Sequence, residues 1–192
     1  MKYKSTRCAV ALAFVLSGAI VGFTQVAAPM AHYTATTANT SSSGEAVRFD
    51  LLRWSTDAER DQLFAAITAT GDTAAVPGVL QKATAVGYIW TTESAGYTLR
   101  YAYRIALPDG GERIILATDR LVGSFEPQRW KLAGSLTPME YTFTVIELRL
   151  PRAGMGEGKA SLAAKVIADK EAKSISLDNY SAAPVLFQGV RK

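Results

Sequence analysis

The stretch Leu107-Pro108-Asp109-Gly110-Gly111, set between two segments that alternate apolar and polar residues, constrains the fold more than any other feature of the chain. Proline presets the turn dihedral, aspartate bonds back to the backbone, and glycine tolerates positive φ, so the stretch predicts a tight hairpin. Residues 86–91, 97–107 and 112–120 then read as three successive strands, joined by connections too short for crossover helices. The sheet is therefore expected to be mainly antiparallel. Side chains also argue for a register. A four-residue loop sets Ile105 opposite Ile114, Tyr103 opposite Leu116 and Arg100 opposite Asp119. A one-residue slip would put Ile105 against Arg113 and lose apolar pairs of roughly 0.2–1 kcal/mol each.

Other segments fit the same picture. Val47, Phe49 and Leu51 alternate with Arg48 and Asp50 as in a half-buried strand. Thr56 and Glu59 have capping-box spacing, and the stripe Leu63, Phe64, Ile67 predicts a helix ending at Gly71. Pro77 and Gly78 interrupt the following segment, so a turn and a short helical piece through Val79 and Leu80 are expected. Residues 140–150, 159–167, 174–179 and 184–190 complete a second run of strands. The stretch 121–139 holds Gly123, Pro127, Gly134 and Pro138 without a sustained period, and reads as a long irregular connection carrying Phe125 and Trp130. The sum is a single α+β domain. Its mainly antiparallel curved sheet has about seven strands and forms a half-barrel, or else a two-layer sandwich, with one or two N-terminal helices packed on it.

The N-terminus carries an address. Lys2, Lys4 and Arg7 precede an uncharged apolar run over 8–23, and small residues follow at Ala27 and Ala28, the order of a secretory signal peptide. The run is shorter than the roughly twenty residues of a membrane-spanning helix, so cleavage is expected, and an uncleaved leader is the one foreseen route to the membrane. The expected organisation is a signal peptide over 1–28, a flexible Ser, Thr and Ala-rich tether over 29–46, and the domain over 47–192. Export would place the protein in the periplasm or outside the cell.

Cleavage would remove three of 21 basic residues and none of 17 acidic ones, leaving 18 minus 17, or +1. Nucleic-acid binding needs clustered Lys and Arg, so it is discounted as a function. Cys8 is the only cysteine and lies in the leader, so the exported body would have no disulfide and no thiolate ligand. His32 is the only histidine and falls in the tether, which places it outside the folded body. Ser-His-Asp, Cys-His and histidine-zinc chemistry are thereby excluded, and no metal or cofactor is assigned.

Several side-chain groups are candidate sites. Strand pairing would align Tyr88, Arg100 and Asp119 in a row on one face, able to hold an anionic or polar ligand or to serve only as a solvated ladder; Arg104 would extend its positive charge. Gly154, Gly156, Gly158 and Lys159 invite a phosphate-loop reading that fails because Ala153 and Ala160 stand where Gly and a hydroxyl are needed. They read as a hairpin loop. Trp54, Trp90 and Trp130 with Tyr97, Tyr101 and Tyr103 could line a groove that stacks on sugar rings or apolar ligands, but aromatics at alternating strand positions read as core, with Trp130, in its irregular loop, the exception, an anchor or a binding contact. Asp109 and Glu112, like Asp169 and Glu171, are explained by turns, and Ser161 with Lys165 misses the Ser-x-x-Lys spacing.

The stretches "FDLLRWSTDAERDQL", "LPDGGERIILATDR", "YTFTVIELRL" and "LDNYSAAPVLFQGV" resemble members of an uncharacterised family of small exported bacterial proteins. The resemblance implies bacterial origin, export and one compact domain, but no activity. Two function classes follow. The first is a non-catalytic domain that binds a small ligand or an envelope partner on its curved sheet or through 121–139, with no polar cluster converging in a cleft. The second is a carboxylate-dependent hydrolase or lyase using Asp119, Arg100, Tyr88 or Glu147, which requires a deep pocket and a carboxylate of strongly displaced pKa. No catalytic residue is assigned, and Tyr88, Arg100, Asp119 and Trp130 are the candidate ligand contacts.

Overall fold

The computed structural model describes residues 28–40, 44–69, 71–92, 96–122, 142–161, 166–178 and 185–192. The elements run β1 (Ala31–Thr37), β2 (Ala46–Leu51), α1 (Asp57–Thr68), α2 (Val76–Lys82), β3 (Gly87–Thr91), β4 (Tyr97–Leu99), β5 (Tyr101–Ala106), β6 (Glu112–Thr118), β7 (Thr144–Leu150), β8 (Gly156–Ala160), β9 (Val166–Asp169), β10 (Ser174–Leu177) and β11 (Val185–Arg191). Among the described residues nine strands form one sheet in the order β4-β3-β2-β1-β11-β8-β7-β6-β5, with every neighbouring pair antiparallel. The α+β class and the curved antiparallel sheet agree with expectation. The strand number does not: nine strands replace about seven, with β9 and β10 in a separate hairpin.

The two edges of this sheet are consecutive parts of one extended segment, since only Arg100 separates β4 from β5. The sheet therefore curls until it is nearly closed, a fuller turn than a half-barrel. Where β5 leaves β4 behind, Ser55 meets its edge, donating from its backbone N to Ala102 O at 2.7 Å and accepting from Ala102 N through Oγ at 3.1 Å.

Burial patterns show which parts of the barrel are covered. β1 and β2 alternate between buried and exposed, so one face packs inward and the other meets solvent. β6 and β7 are buried on both faces along most of their length. Ile114, Leu116, Ile146 and Leu148 point into the barrel with Tyr33, Phe49 and Phe187, while Ile115, Ala117 and Val145 meet Leu63 and Ile67 of α1, Leu80 of α2 and Ile175 of β10. Phe49 and Phe187 meet edge to face inside the barrel, centroids 5.9 Å apart. Gly158 is required there: a Cβ would stand 2.7 Å from Leu148 Cδ2 and 3.2 Å from Phe187 Cδ2.

The expected capping box is present, with Glu59 N donating to Thr56 Oγ1 at 3.2 Å and Thr56 N to Glu59 Oε2 at 2.8 Å. Pro77 occupies the first turn of α2, where its missing N–H is harmless, so the interruption begins a helix.

Two expectations are corrected. The hairpin after β5 pairs Ile105 with Arg113 and Tyr103 with Ile115, the register that the side-chain argument rejected. Leu107 N donates to Gly111 O at 2.9 Å and Gly110 has φ +80°, so the loop is three residues closed by a left-handed glycine. Both faces of β6 are apolar, so cross-strand apolar pairing does not distinguish the two registers.

The second correction concerns 29–46. This stretch contains β1, which pairs with β2 on one side and β11 on the other, so it is a central strand and not a tether. Its inward residues Ala31, Tyr33, Ala35 and Thr37 are all buried. His32 is accordingly part of the folded body. It is half-exposed on the outer face, and its Nδ1 donates to Asp50 Oδ1 at 2.7 Å.

Candidate functional site

The expected row of Tyr88, Arg100 and Asp119 is split. Arg100 and Asp119 do meet, with Nε 3.3 Å from Oδ2, and Arg100 Nη1 donates to Ala83 O just beyond α2 at 3.2 Å. Both side chains are mostly covered, and Arg100 lines a crevice of about 530 Å³ beneath α1 and α2. Tyr88 sits elsewhere, opposite Thr98 on β4 and Asp50 on β2, on the open outer face. The chain bends at Arg100 as it passes from pairing with β3 to pairing with β6, which carries Arg100 away from Tyr88. Trp130 lies outside the described residues, as do residues 1–27, most of 121–139 and Lys165.

On that outer face Tyr88 joins a different set. Arg48 Nε donates to Asp50 Oδ2 at 3.1 Å, and the Arg48 guanidinium lies 5.1 Å from the Trp90 ring centroid. Tyr88 and Trp90 are 5.9 Å apart. Asp50 is thus already engaged by both His32 and Arg48.

The remaining aromatics are mostly packed. Tyr97 lines the barrel interior, and Tyr101 sits beneath the helices with its hydroxyl 3.2 Å from Ser174 Oγ. Tyr103 Oη donates to Asp57 Oδ1 at 2.9 Å and accepts from Arg60. Glu147 is buried on β7, where it accepts from Ser176 Oγ at 3.3 Å and lies 4.0 Å from Lys159 Nζ.

Among the described residues two carboxyl groups are displaced from their ordinary range, and both are pushed down. Bidentate bonds from Arg53 hold Glu59 at about 2, against desolvation and with help from the Thr56 backbone. Burial raises Asp169, but the Ala172 N–H, the Arg113 guanidinium and the Glu171 N–H together outweigh it. Both are ions fixed by structure, the opposite of a carboxyl poised to donate a proton near neutral pH.

Polar groups instead converge at one mouth of the barrel. There the β5–β6 hairpin, the β7–β8 loop and the end of β11 surround a cavity of about 630 Å³. Arg104 and Glu112 flank the hairpin on inward-facing positions of β5 and β6, Arg152 lies in the β7–β8 loop, and Arg191 and Lys192 come from the C-terminal strand. Leu150 and Val190 form an apolar floor continuous with the core. Glu112 lies 3.7 Å from Arg104 Nη1 and 3.9 Å from Lys192 Nζ, both beyond hydrogen-bond distance. Arg104 also lies over the Trp54 ring at 5.3 Å.

Beneath this group Tyr33 is fully buried, and its hydroxyl has no hydrogen-bond partner among the described residues. Burial, reinforced by the Glu112 carboxylate and opposed by Arg104, pushes its pKa up to about 12, so it remains a donor. The binding class had been expected to leave no polar cluster converging in a cleft, and this cavity corrects that expectation. The mouth escaped notice because Tyr33, Arg104, Glu112, Arg152 and Lys192 share no spacing and Tyr33 falls in the supposed tether. The signal available was the alternation of Tyr33 with polar neighbours.

No family of known proteins, no curated protein and no solved structure matches this chain.

Proposed function

We propose that the chain is an exported, non-catalytic binding domain whose small ligand enters the barrel mouth. The leader-like segment over 1–28 and the resemblance to small exported bacterial proteins support export to the periplasm or beyond. The observation that carries the binding reading is the 630 Å³ cavity, in the size range of small-molecule sites, where charged groups stand over an apolar floor. An interior packed with Tyr33, Phe49, Phe187 and Leu148 leaves the mouth, and not the barrel centre, as the place for a ligand. The displaced carboxyl groups Glu59 and Asp169 lie away from this cavity and are locked as anions, which favours binding over carboxylate hydrolysis.

A thermal-shift panel of sugars, nucleotides, lipids and organic anions tests the reading, because a ligand that binds only the native state raises Tm. A stabilising ligand whose effect disappears in mouth variants supports it. A ligand unaffected by those variants, or one that the protein converts to product, contradicts it. Mass spectrometry of protein made by a bacterial host tests export separately: a new N-terminus near residue 29 is expected, and material beginning at Met1 would contradict cleavage.

A further inference from the structure

The mouth of the barrel is charged out of proportion to the chain. Among the described residues, Arg104, Arg152, Arg191 and Lys192 line it against the carboxylate of Glu112, so four minus one leaves +3 on these lining side chains. The chain without residues 1–28 would carry only +1 in total, as 18 minus 17. Positive charge is thus concentrated here and offset elsewhere. Its cations are also loosely held. Arg104 and Lys192 approach Glu112 no closer than 3.7 and 3.9 Å, which leaves their N–H groups unspent on the carboxylate. Arg53, by contrast, bonds Glu59 closely, with both bonds 2.9 Å or shorter.

A second observation is independent of the charge count. The Tyr33 hydroxyl, fully buried and close enough to Glu112 and Arg104 to feel both charges, has no hydrogen-bond partner among the described residues. Leaving a buried hydroxyl without a partner is unfavourable, and a ligand acceptor would relieve it. Phenylalanine would fill the same volume without the polar atom.

From these two features, and resting on the reading that the mouth is the binding site, we propose that the ligand is a small polyanion carrying at least two carboxylate or phosphate groups. Arg104, Arg152 and Lys192 take its negative oxygens. The Leu150–Val190 floor accommodates its carbon skeleton, and Tyr33 donates to its innermost acceptor. Glu112 sets a lower limit on ligand charge, because a monoanion gains little beside a fixed negative group.

Calorimetric titration of the purified full chain with citrate, pyrophosphate, acetate and glucose tests this. Citrate and pyrophosphate separate carboxylate from phosphate chemistry, acetate is the monoanion and glucose the neutral control. Citrate or pyrophosphate is expected to bind at least about tenfold more tightly than acetate, and to weaken about tenfold or more as salt is raised from low to about 0.3 M. Arg104→Gln or Lys192→Gln should weaken the polyanion about tenfold, Glu112→Gln should strengthen it and relax the discrimination against acetate, and Tyr33→Phe should weaken it several-fold. Arg48→Gln, on the outer face, should leave it unchanged. Binding of glucose alone, lost in Arg104→Gln, overturns the polyanion and leaves the mouth standing. Polyanion binding untouched by Arg104→Gln and Lys192→Gln overturns the mouth itself. No binding by any probe overturns the polyanion.

Discussion

Glu59→Gln is the substitution whose effect can be worked most fully from the structure. Glu59 receives two bonds from Arg53, at 2.9 and 2.8 Å, and one from Thr56 N at 2.8 Å, joining the entry to α1 to the segment that follows β2. Glutamine can still serve a capping box, so the substitution removes the charge and spares much of the cap. Holding the carboxyl at about 2 instead of 4.5 is a displacement of about 2.5 pH units (4.5 minus 2), with a ceiling of roughly 3.4 kcal/mol at about 1.4 kcal/mol per unit. The Glu59 side chain is 26% exposed, so solvent screening reduces the expected contribution to roughly 1–2 kcal/mol. Because the folded-state value lies below the unfolded one, this stability is complete above the ordinary carboxylate range and disappears as pH falls from about 4.5 through about 2. Urea denaturation of both proteins at several pH values measures it. The variant should be less stable by about 1–2 kcal/mol at neutral pH, a Tm loss of roughly 2–8 °C, and the gap should close towards pH 2. A gap that is absent at neutral pH, or that persists unchanged at pH 2, would refute the assignment of the stability to this ion pair.

Three further outcomes are expected. Gly158→Val should destabilise by roughly 1–3 kcal/mol, read as a lower urea midpoint, because its first added carbon would overlap Leu148; an unchanged midpoint would mean that β8 has room there. A chain begun at residue 29 should unfold cooperatively, and one begun at residue 41 should not, since it lacks the strand between β2 and β11; circular dichroism melts distinguish them, and equal cooperativity would show β1 to be dispensable. Tyr101→Phe should lose roughly 1–2 kcal/mol in the same denaturation assay, because it leaves the buried Ser174 hydroxyl without its 3.2 Å partner, whereas a neutral result would indicate that Ser174 is satisfied in another way.

The antiparallel architecture was legible because its signals are local. Thr56 and Glu59 cap a helix by their own spacing, and Pro108-Asp109-Gly110 turns the chain whatever surrounds it. Register was not legible. It depends on which face of β6 is buried, and Ile114, Ile115, Leu116 and Ala117 are all buried because helices cover the outside of the barrel. β1 was misread for a related reason: its inward residues other than Tyr33 are small, so its alternation resembles a low-complexity stretch until β2 and β11 are placed beside it. The candidate site fared worst. Arg100 and Asp119 form an ion pair, but in a register other than the expected one, and Tyr88 was placed by extending a straight strand across the bend at Arg100. The mouth is assembled from segments separated by most of the chain, which only barrel closure brings together.

A two-dimensional NMR titration of the protein with citrate tests the central claim most directly. Amide shifts should concentrate at Gly110–Glu112, Arg152–Met155 and Val190–Lys192, with Tyr33 responding from below. Shifts confined to Arg48, Asp50, Tyr88 and Trp90, or to the crevice between α1 and α2, would contradict it.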